Sequence, residues 1–543
     1  MKKLLPYLLC LLVLSCDKLF HEEEISVAEI TSEAELEQAV NAVYGQISHF
    51  FTGLKGWGGG GIFYHVNFKG DDLVGICHFS YYDYYYRGGE DCETSSEENK
   101  EQSIIDIWED YYDFIASINN IIVQFYPPAE QGKVEKQLVG EAYFFRAYCY
   151  FRLTRSFGRI PLVEDIDINY STPLASYGEV YEFIANDLKT AMQLLPRNNS
   201  EARIPYYTVH RGTAKAFLAE VYLSWAGYPA KDDSKYTLAA QTAGEVIDSA
   251  EFFGFGLEED FTQVWEEDNR YNPETIFALY FRTPNSTTSS SFLTGEQDVN
   301  TFYGGFNSSY TNTFQIEADS TWIDINFHPT EINFYNSYPE SYRKDITFFT
   351  TVYVPGYMVR NDPERDSGYV EVTARLCTRP AYRKFYYTSS VNILSYEYCM
   401  NTPEEKRFYG NTKVYLYRYA QLLLTYAEAM ARSGQLTADA YEAVNQIRRR
   451  AYHTDIHTPS LHDIPAGLSA EAFADSVVQE RAWELAGEPE GRWFDLVRLE
   501  RVEELEHSRH PMEGGFPVDP VTKEDYFLQI PNADQLLNPN LAE

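Results

Sequence analysis

The sequence is poor in cysteine, in positive charge and in long apolar runs, and each shortage excludes something. Seven Cys are spread over 543 residues and no CxxC occurs, so a cysteine zinc site is not expected. Lys and Arg total 44 against 81 Asp and Glu, a net charge of −37. Such a field repels phosphate backbones and anionic headgroups. It excludes a general nucleic-acid binder and membrane attachment through a basic patch. No stretch reaches the roughly 20 apolar residues that cross a bilayer as a helix. GxSxG, P-loop and HExxH motifs are absent as well. Aromatic side chains, in contrast, are abundant: 45 Tyr, 34 Phe and 7 Trp make up 16% of the chain. So many Tyr suit surfaces where a ring is covered and its hydroxyl stays wet. With 44% hydrophobic and 23% charged residues the composition is globular. The length calls for two to four domains or one elongated repeat array.

The N-terminus reads as an export signal. Lys2 and Lys3 precede an apolar run at 4–14, too short to span a membrane. It closes with Val13-Leu14-Ser15-Cys16, which resembles a bacterial lipobox; Cys16 is then the acylated first residue of the mature chain. Loss of Lys2 and Lys3 takes the charge from −37 to −39. Setting aside Cys10 and Cys16, five Cys remain, an odd number. Cys77–Cys92 and Cys377–Cys399 are candidate disulfides, and Cys149, inside a helical pattern, is expected to be a buried free thiol.

A polar tether at 16–30 leads to Ser32-x-x-Glu35, a capping box. Leu36, Ala39, Val40, Val43, Tyr44 and Ile47 follow at helical spacing. The same period recurs through Leu138 to Cys149, through Val180 to Leu195 before Pro196, and through Ala214 to Trp225. It returns at Tyr419 to Met430 and at Ala440, Val444 and Ile447. Ala at approach positions, with Tyr222 and Tyr426 expected at the rim, suggests tetratricopeptide-like helix pairs stacked into a scaffold. The fold class expected is mostly α, with a loop-rich irregular region carrying short strands. That region is 271–404, where Asn, Ser, Thr, Gly, Pro and Tyr dominate, and 50–100 has the same character. The division expected is a signal peptide at 1–15, a lipidated tether at 16–30 and a helical scaffold at 31–270. A ligand-binding region at 271–404 and C-terminal helices at 405–543 complete it.

Six segments resemble the SusD/RagB family of surface nutrient-binding lipoproteins. They are 34–47; Trp108 to Asn119-Asn120-Ile121; and Gly140-Glu141-Ala142-Tyr143-Phe144-Phe145-Arg146-Ala147-Tyr148, running on to Phe157-Gly158-Arg159-Ile160-Pro161-Leu162. Then come Arg211-Gly212-Thr213-Ala214-Lys215-Ala216, and Tyr417-Arg418-Tyr419-Ala420 with Asn445-Gln446-Ile447-Arg448-Arg449-Arg450-Ala451. The last is Glu480-Arg481 to Arg492-Trp493-Phe494-Asp495-Leu496-Val497-Arg498, closing on Leu537-Asn538-Pro539. One departure is Gly487-Glu488-Pro489-Glu490-Gly491, a residue longer than usual, which bears on the local helix end. The resemblance implies a non-enzymatic, outer-membrane, outward-facing protein that captures ligand for a SusC-like TonB-dependent transporter. Members bind glycans, some peptides. The matching motifs themselves read as scaffold, so the ligand site is argued from chemistry.

A sugar offers an apolar C–H face and a rim of hydroxyls, which rings, amides and guanidinium groups can hold. Tyr82, Tyr84, Tyr85 and Arg87 in the Tyr81–Gly89 stretch fit this, as do Tyr303, Asn307, Tyr310 and Trp322. Trp57, in a glycine run that admits close approach, is a third candidate. The plainer reading of each is packing in a strand or loop. Asp71 and Asp72 are expected to cap or turn the chain. Asp165-x-Asp167-x-Asn169 lacks the Gly and Glu of an EF-hand. No cofactor is expected, though so acidic a surface leaves room for a structural Ca2+. His453, Asp455, His457, His462 and Asp463 read as a solvated loop rather than a metal site. The leading expectation is a glycan-binding uptake lipoprotein. The alternatives are a peptide-binding one of the same family and, much less supported, a surface glycoside hydrolase.

Overall fold

The computed structural model describes residues 29–52, 70–73, 97–127, 132–166, 169–282, 297–298, 312–316, 321–325, 330–355, 369–373, 380–384, 413–507 and 522–542. Helix α1 (Glu33–Thr52) starts at the expected capping box. Glu35 N donates to Ser32 Oγ at 3.3 Å and Ser32 N donates to Glu35 Oε2 at 3.1 Å. Its stripe Leu36, Val40, Val43, Tyr44 and Ile47 is buried. The following helices are α2 (Glu97–Gln124), α3 (Lys133–Phe157), α4 (Tyr177–Leu194), α5 (Arg211–Ala226) and α6 (Ser234–Ile247). Ser176 and Glu179 form a reciprocal cap on α4, which stops at Leu195, before Pro196. From α2 to α6 each helix packs on the next, the stacked-pair arrangement expected.

Helix α3 is the axis of the core, buried from Leu138 to Phe157. Its Phe144 meets Phe217 of α5 at 5.7 Å between ring centroids and Phe277 edge-on at 5.0 Å. Gly140 lets α4 come close: a Cβ there would lie 2.9 Å from Leu194 Cβ.

Phe277 belongs to strand β1 (Thr275–Arg282), which pairs in parallel with the two-residue β2 (Gln297–Asp298) and antiparallel with β9 (Lys413–Arg418). Between them lie the hairpin of β3 (Asn312–Ile316) and β4 (Thr321–Ile325), then α7 (Ile332–Ser337) and α8 (Tyr342–Thr347). Strands β5 (Phe348–Phe349) and β8 (Ala381–Tyr382) pair, as do β6 (Thr351–Pro355) and β7 (Tyr369–Thr373). Region 271–404 thus carries short strands, plus two short helices. Beyond β9 the chain returns to helices: α9 (Tyr419–Arg432), α10 (Ala438–Ala451), α11 (Ala470–Glu484) and α12 (Arg492–Arg498). Helix α9 packs on α5, α6, α10 and α11, so the C-terminal helices close the stack.

The tyrosines depart from expectation. Tyr111, Tyr148, Tyr150, Tyr338, Tyr382, Tyr415 and Tyr417 lie in the core, not at a wet surface. Buried backbone polar groups explain it, because a hydroxyl can satisfy them where no water reaches. Tyr150 OH donates to Val163 O at 2.9 Å and accepts from Val163 N at 2.7 Å. Tyr338 OH donates to Trp483 O at 2.7 Å and Tyr415 OH to Val264 O at 2.9 Å. Tyr222 is likewise buried, whereas Tyr426 is half-buried.

Charge is also taken inside. Where β1 and β9 meet α10 and α11, Glu484 Oε1 accepts from Arg418 Nη1 at 2.6 Å and Arg450 Nη2 at 2.7 Å. Its Oε2 accepts from Arg343 Nη1 at 2.5 Å. Glu274 pairs with Arg418 and Arg450, Glu480 with Arg343, and Glu488 with Arg418 and Lys384. All eight side chains are buried, four cations against four anions. A second cluster joins Arg481 to Glu220 and Asp495, and Arg498 to Asp495 and Glu428. The basic and acidic residues of the C-terminal motif are therefore scaffold, as expected. The long turn after α11 has a specific use. Gly487 has φ +73°, Glu488 N bonds Leu485 O, and Glu490 reaches Arg152, Arg155 and Tyr148 of α3.

Candidate functional site

Of the residues expected to hold ligand, Trp57, Tyr82, Tyr84, Tyr85, Arg87, Tyr303, Asn307 and Tyr310 lie outside the described residues. So do Cys16 and the Cys77–Cys92 and Cys377–Cys399 pairs. Trp322 falls on β4, its backbone opposite Gln315 of β3.

The structure does show how the scaffold holds the ends of the segments bearing those residues. Residues 70–73 sit between the stretch with Trp57 and the stretch with Tyr82 to Arg87, and they are clamped. Arg492 donates through Nε and Nη2 to the two oxygens of Asp71, at 2.6 and 2.8 Å. Gly487 N donates to Asp72 Oδ2 at 2.8 Å. Thr330 Oγ1 and Tyr382 OH donate to Asp72 O at 3.0 and 2.8 Å, and Leu73 is buried. Asp71 and Asp72, read from sequence as a cap or turn, instead tie this segment to the turn before α12. Burial pushes the Asp72 carboxyl up to about 7, against the pull of the Gly487 N–H.

A second root is the far end of the β1–β9 ladder, where Tyr280 pairs with Lys413. Lys413 Nζ donates to Arg270 O at 2.8 Å. Nearby, Lys384 Nζ donates to Glu488 Oε1 at 2.6 Å; burial pulls that amine down to about 8 although Glu488 opposes it.

Beside this root is an aromatic cluster that the sequence reading missed. Tyr207 and Tyr280 have ring centroids 4.6 Å apart, Tyr207 and Tyr271 5.4 Å, and Tyr206 and Tyr271 5.9 Å. The Tyr207 and Tyr271 hydroxyls are bonded to each other. The Arg270 guanidinium lies 5.3 Å from the Tyr271 and Tyr280 centroids. Tyr206 and Tyr271 are 41% and 42% exposed, so their rings form an open shelf. The signal was present in Pro205-Tyr206-Tyr207 and Arg270-Tyr271, aromatic pairs at turns. The first pair lies within the stretch read as scaffold and the second straddles its boundary with the loop-rich region, and nothing local in the sequence links the two.

Other expectations find plain structural roles. Asp455 accepts from His457 N and Thr458 Oγ1, Asp463 pairs with Arg449, and His462 stacks on Tyr452 at 3.6 Å. Asp165 Oδ1 accepts from Ile166 N and Asn169 Oδ1 from Ser171 N. Among the described residues no group of three or more His, Cys, Asp or Glu could hold a metal ion. Cys149 is free and fully buried, and burial pushes its thiol up. No described helix is long and apolar enough to cross a membrane.

Two family models match the chain. One, described as starch-binding and associating with the outer membrane, matches residues 32–223; that of the SusD family matches 273–543. The chain belongs to the SusD/RagB family. SusD-like protein P2 of Formosa agariphila is 25% identical over 445 residues, 80% of this chain and 78% of its own. Among solved structures, a SusD homolog from Bacteroides thetaiotaomicron superposes with a TM-score of 0.69 at 21% identity, covering 96% of this chain and 98% of that one. Surface glycan-binding protein A from Bacteroides thetaiotaomicron, in complex with laminarihexaose, gives 0.64 at 18% identity, covering 94% and 99%.

Proposed function

We propose that the protein is a cell-surface glycan-binding lipoprotein, held in the outer membrane by acyl chains on Cys16. It captures oligosaccharide and passes it unaltered to a SusC-like TonB-dependent transporter. Family membership carries this reading, supported by a neighbour of the same fold in complex with a glucan hexasaccharide. The chemistry agrees with it. Capture and release need stacking rings and hydrogen bonds, not an activated nucleophile. The buried acids Glu274, Glu484 and Glu488 are each held by cations, which suits them to structure rather than to proton transfer. Ligand contact is assigned to Trp57, Tyr82, Tyr84, Tyr85, Arg87, Tyr303, Asn307, Tyr310 and Trp322, on segments rooted at the two places described above.

Calorimetric titration with neutral oligosaccharides, acidic oligosaccharides and peptides tests the ligand class. A neutral glycan should bind, and Trp322→Ala or Tyr310→Ala should weaken it without unfolding the protein. Unchanged affinity in both variants retires that site. Binding of peptides alone replaces the glycan reading with the peptide one. New reducing ends after prolonged incubation would overturn the non-enzymatic role. Co-purification with an outer-membrane barrel, lost in Cys16→Ala together with membrane retention, tests the transport role and the anchor.

A further inference from the structure

Two rings of the tyrosine cluster, Tyr206 and Tyr207, also border a crevice of about 20 Å3, room for one water or one hydroxyl group. Tyr206, Tyr207, Asn199, Thr208 and His210 are among the residues that line it. His210 is 3% exposed, with its ring against Phe253 and Phe255. Its Nδ1 accepts from Gly212 N at 3.1 Å, so that nitrogen is unprotonated and the neutral ring carries its proton on Nε2. Burial pulls the imidazole down to about 3, so it stays neutral at any ordinary pH. Nε2 has no hydrogen-bond partner among the described residues, and nor does the Asn199 amide nitrogen, whose Oδ1 accepts from Tyr206 N at 2.7 Å. Two residues that carry uncharged donors thus line a space fit for one oxygen.

The shelf is held at a cost. Tyr207 N bonds Ile204 O at 3.1 Å, with Pro205 second and Tyr206 third in the turn. Tyr206 has φ +69°, a left-handed conformation that such turns ordinarily give to Gly. A large ring at that position, projecting into solvent beside Tyr271, is not explained by core packing.

Resting on the glycan-binding reading, we propose that Tyr206, Tyr271 and this crevice form a further sugar subsite. It takes a neutral hexopyranose, whose C–H face stacks on the two rings while one hydroxyl accepts hydrogen bonds from His210 Nε2 and Asn199. It shares no residue with the subsite assigned to Tyr310 and Trp322. No residue lining the crevice is charged, and the protein's net charge of −37 works against uronates, opposed locally by the Arg270 guanidinium beside Tyr271.

The test uses the full chain with labelled histidine rings, titrated with laminarihexaose, maltohexaose, cellohexaose and mannohexaose and read by NMR, with calorimetry in parallel. At least one oligosaccharide should move the His210 ring resonances saturably. Tyr206→Gly with Tyr271→Ala should weaken that response at least roughly fivefold, the scale of losing two stacked rings. Tyr206→Gly suits the positive φ; Tyr271→Ala also removes a hydroxyl bond to Tyr207 and ring contacts with Tyr207 and Tyr280, so Tyr206→Gly alone, which leaves these in place, should also weaken the response while melting as wild type does. The response should persist in Trp322→Ala. If calorimetry shows binding while His210 stays silent, or if the shift survives loss of both tyrosines or vanishes with Trp322→Ala, the separate subsite falls alone. If nothing in the panel binds, the neutral-glycan reading falls and takes the subsite with it.

Discussion

Glu484→Gln is the sharpest perturbation of the scaffold. The carboxylate is fully buried and receives three guanidinium groups, from Arg343, Arg418 and Arg450. Burial alone would raise its pKa; the three arginines overcome this and hold it far below the carboxylate range. Each charge-assisted bond is worth about 1.5–3 kcal/mol, so three amount to roughly 5–9 kcal/mol gross. The amide keeps the shape and one acceptor oxygen, which recovers part of this. It also leaves four buried cations facing three anions. Removing one partner of a buried pair costs about 3–5 kcal/mol, and we expect a loss in that range. Urea unfolding followed by fluorescence, with the m-value unchanged, measures it. Glu340→Gln is the control: Glu340 also bonds a lysine, Lys344, at 2.5 Å, but it is 88% exposed. Its effect should stay within about 0.5 kcal/mol. A loss below about 1 kcal/mol for Glu484→Gln, or equal losses for both, refutes the view that the buried cluster holds the C-terminal helices to the ladder.

Gly140→Ala should destabilise the protein by about 1–3 kcal/mol despite alanine's better helix propensity, because its methyl group meets Leu194 and Leu195; a thermal melt at or above wild type would show that α4 gives way freely. Asp72 has a raised folded pKa, about 7 against 3.8, so the folded state holds its proton more tightly than the unfolded one and stability falls as pH rises across that window. Asp72→Asn should therefore stabilise by a few kcal/mol at pH 8 and little near pH 4; equal effects at both pH values would contradict this. Glu428 runs the other way. Burial pushes it up, but Arg498 and Arg432 outweigh burial and bring it down to about 2, so its contribution of about 3 kcal/mol is present above pH 4.5 and lost as pH falls toward 2. Glu428→Gln should flatten that part of the acid unfolding curve.

Helices with one clean apolar stripe, such as α1 and α4, announced themselves in the sequence. Helix α11 did not, for a physical reason. It buries Phe473, Ala474, Val477 and Val478, but also Glu480, Arg481 and Glu484, and charges on an inward face break the hydrophobic period. The partners that make such burial tolerable, Arg343, Arg418 and Arg450, come from distant parts of the chain, and no local pattern reveals them. The tyrosines misled for a related reason: composition cannot tell whether a hydroxyl meets water or a buried carbonyl. Residue types suited to sugars could be picked out around Tyr82, Tyr310 and Trp322. The Tyr206–Tyr271 shelf could not, because it is assembled from two turns 65 positions apart in sequence that only the fold brings together.

The clamp at 70–73 has a bearing on how the sequence around it can change. Asp71 and Asp72, bonded to Arg492, Gly487, Thr330 and Tyr382, divide the stretch between α1 and α2 into two shorter segments, each joined at both ends to fixed residues. Lengthening a loop with pinned ends costs little entropy, since the penalty grows only with the logarithm of its length. A change of length on one side of the clamp then leaves the fixed points of the other side in place.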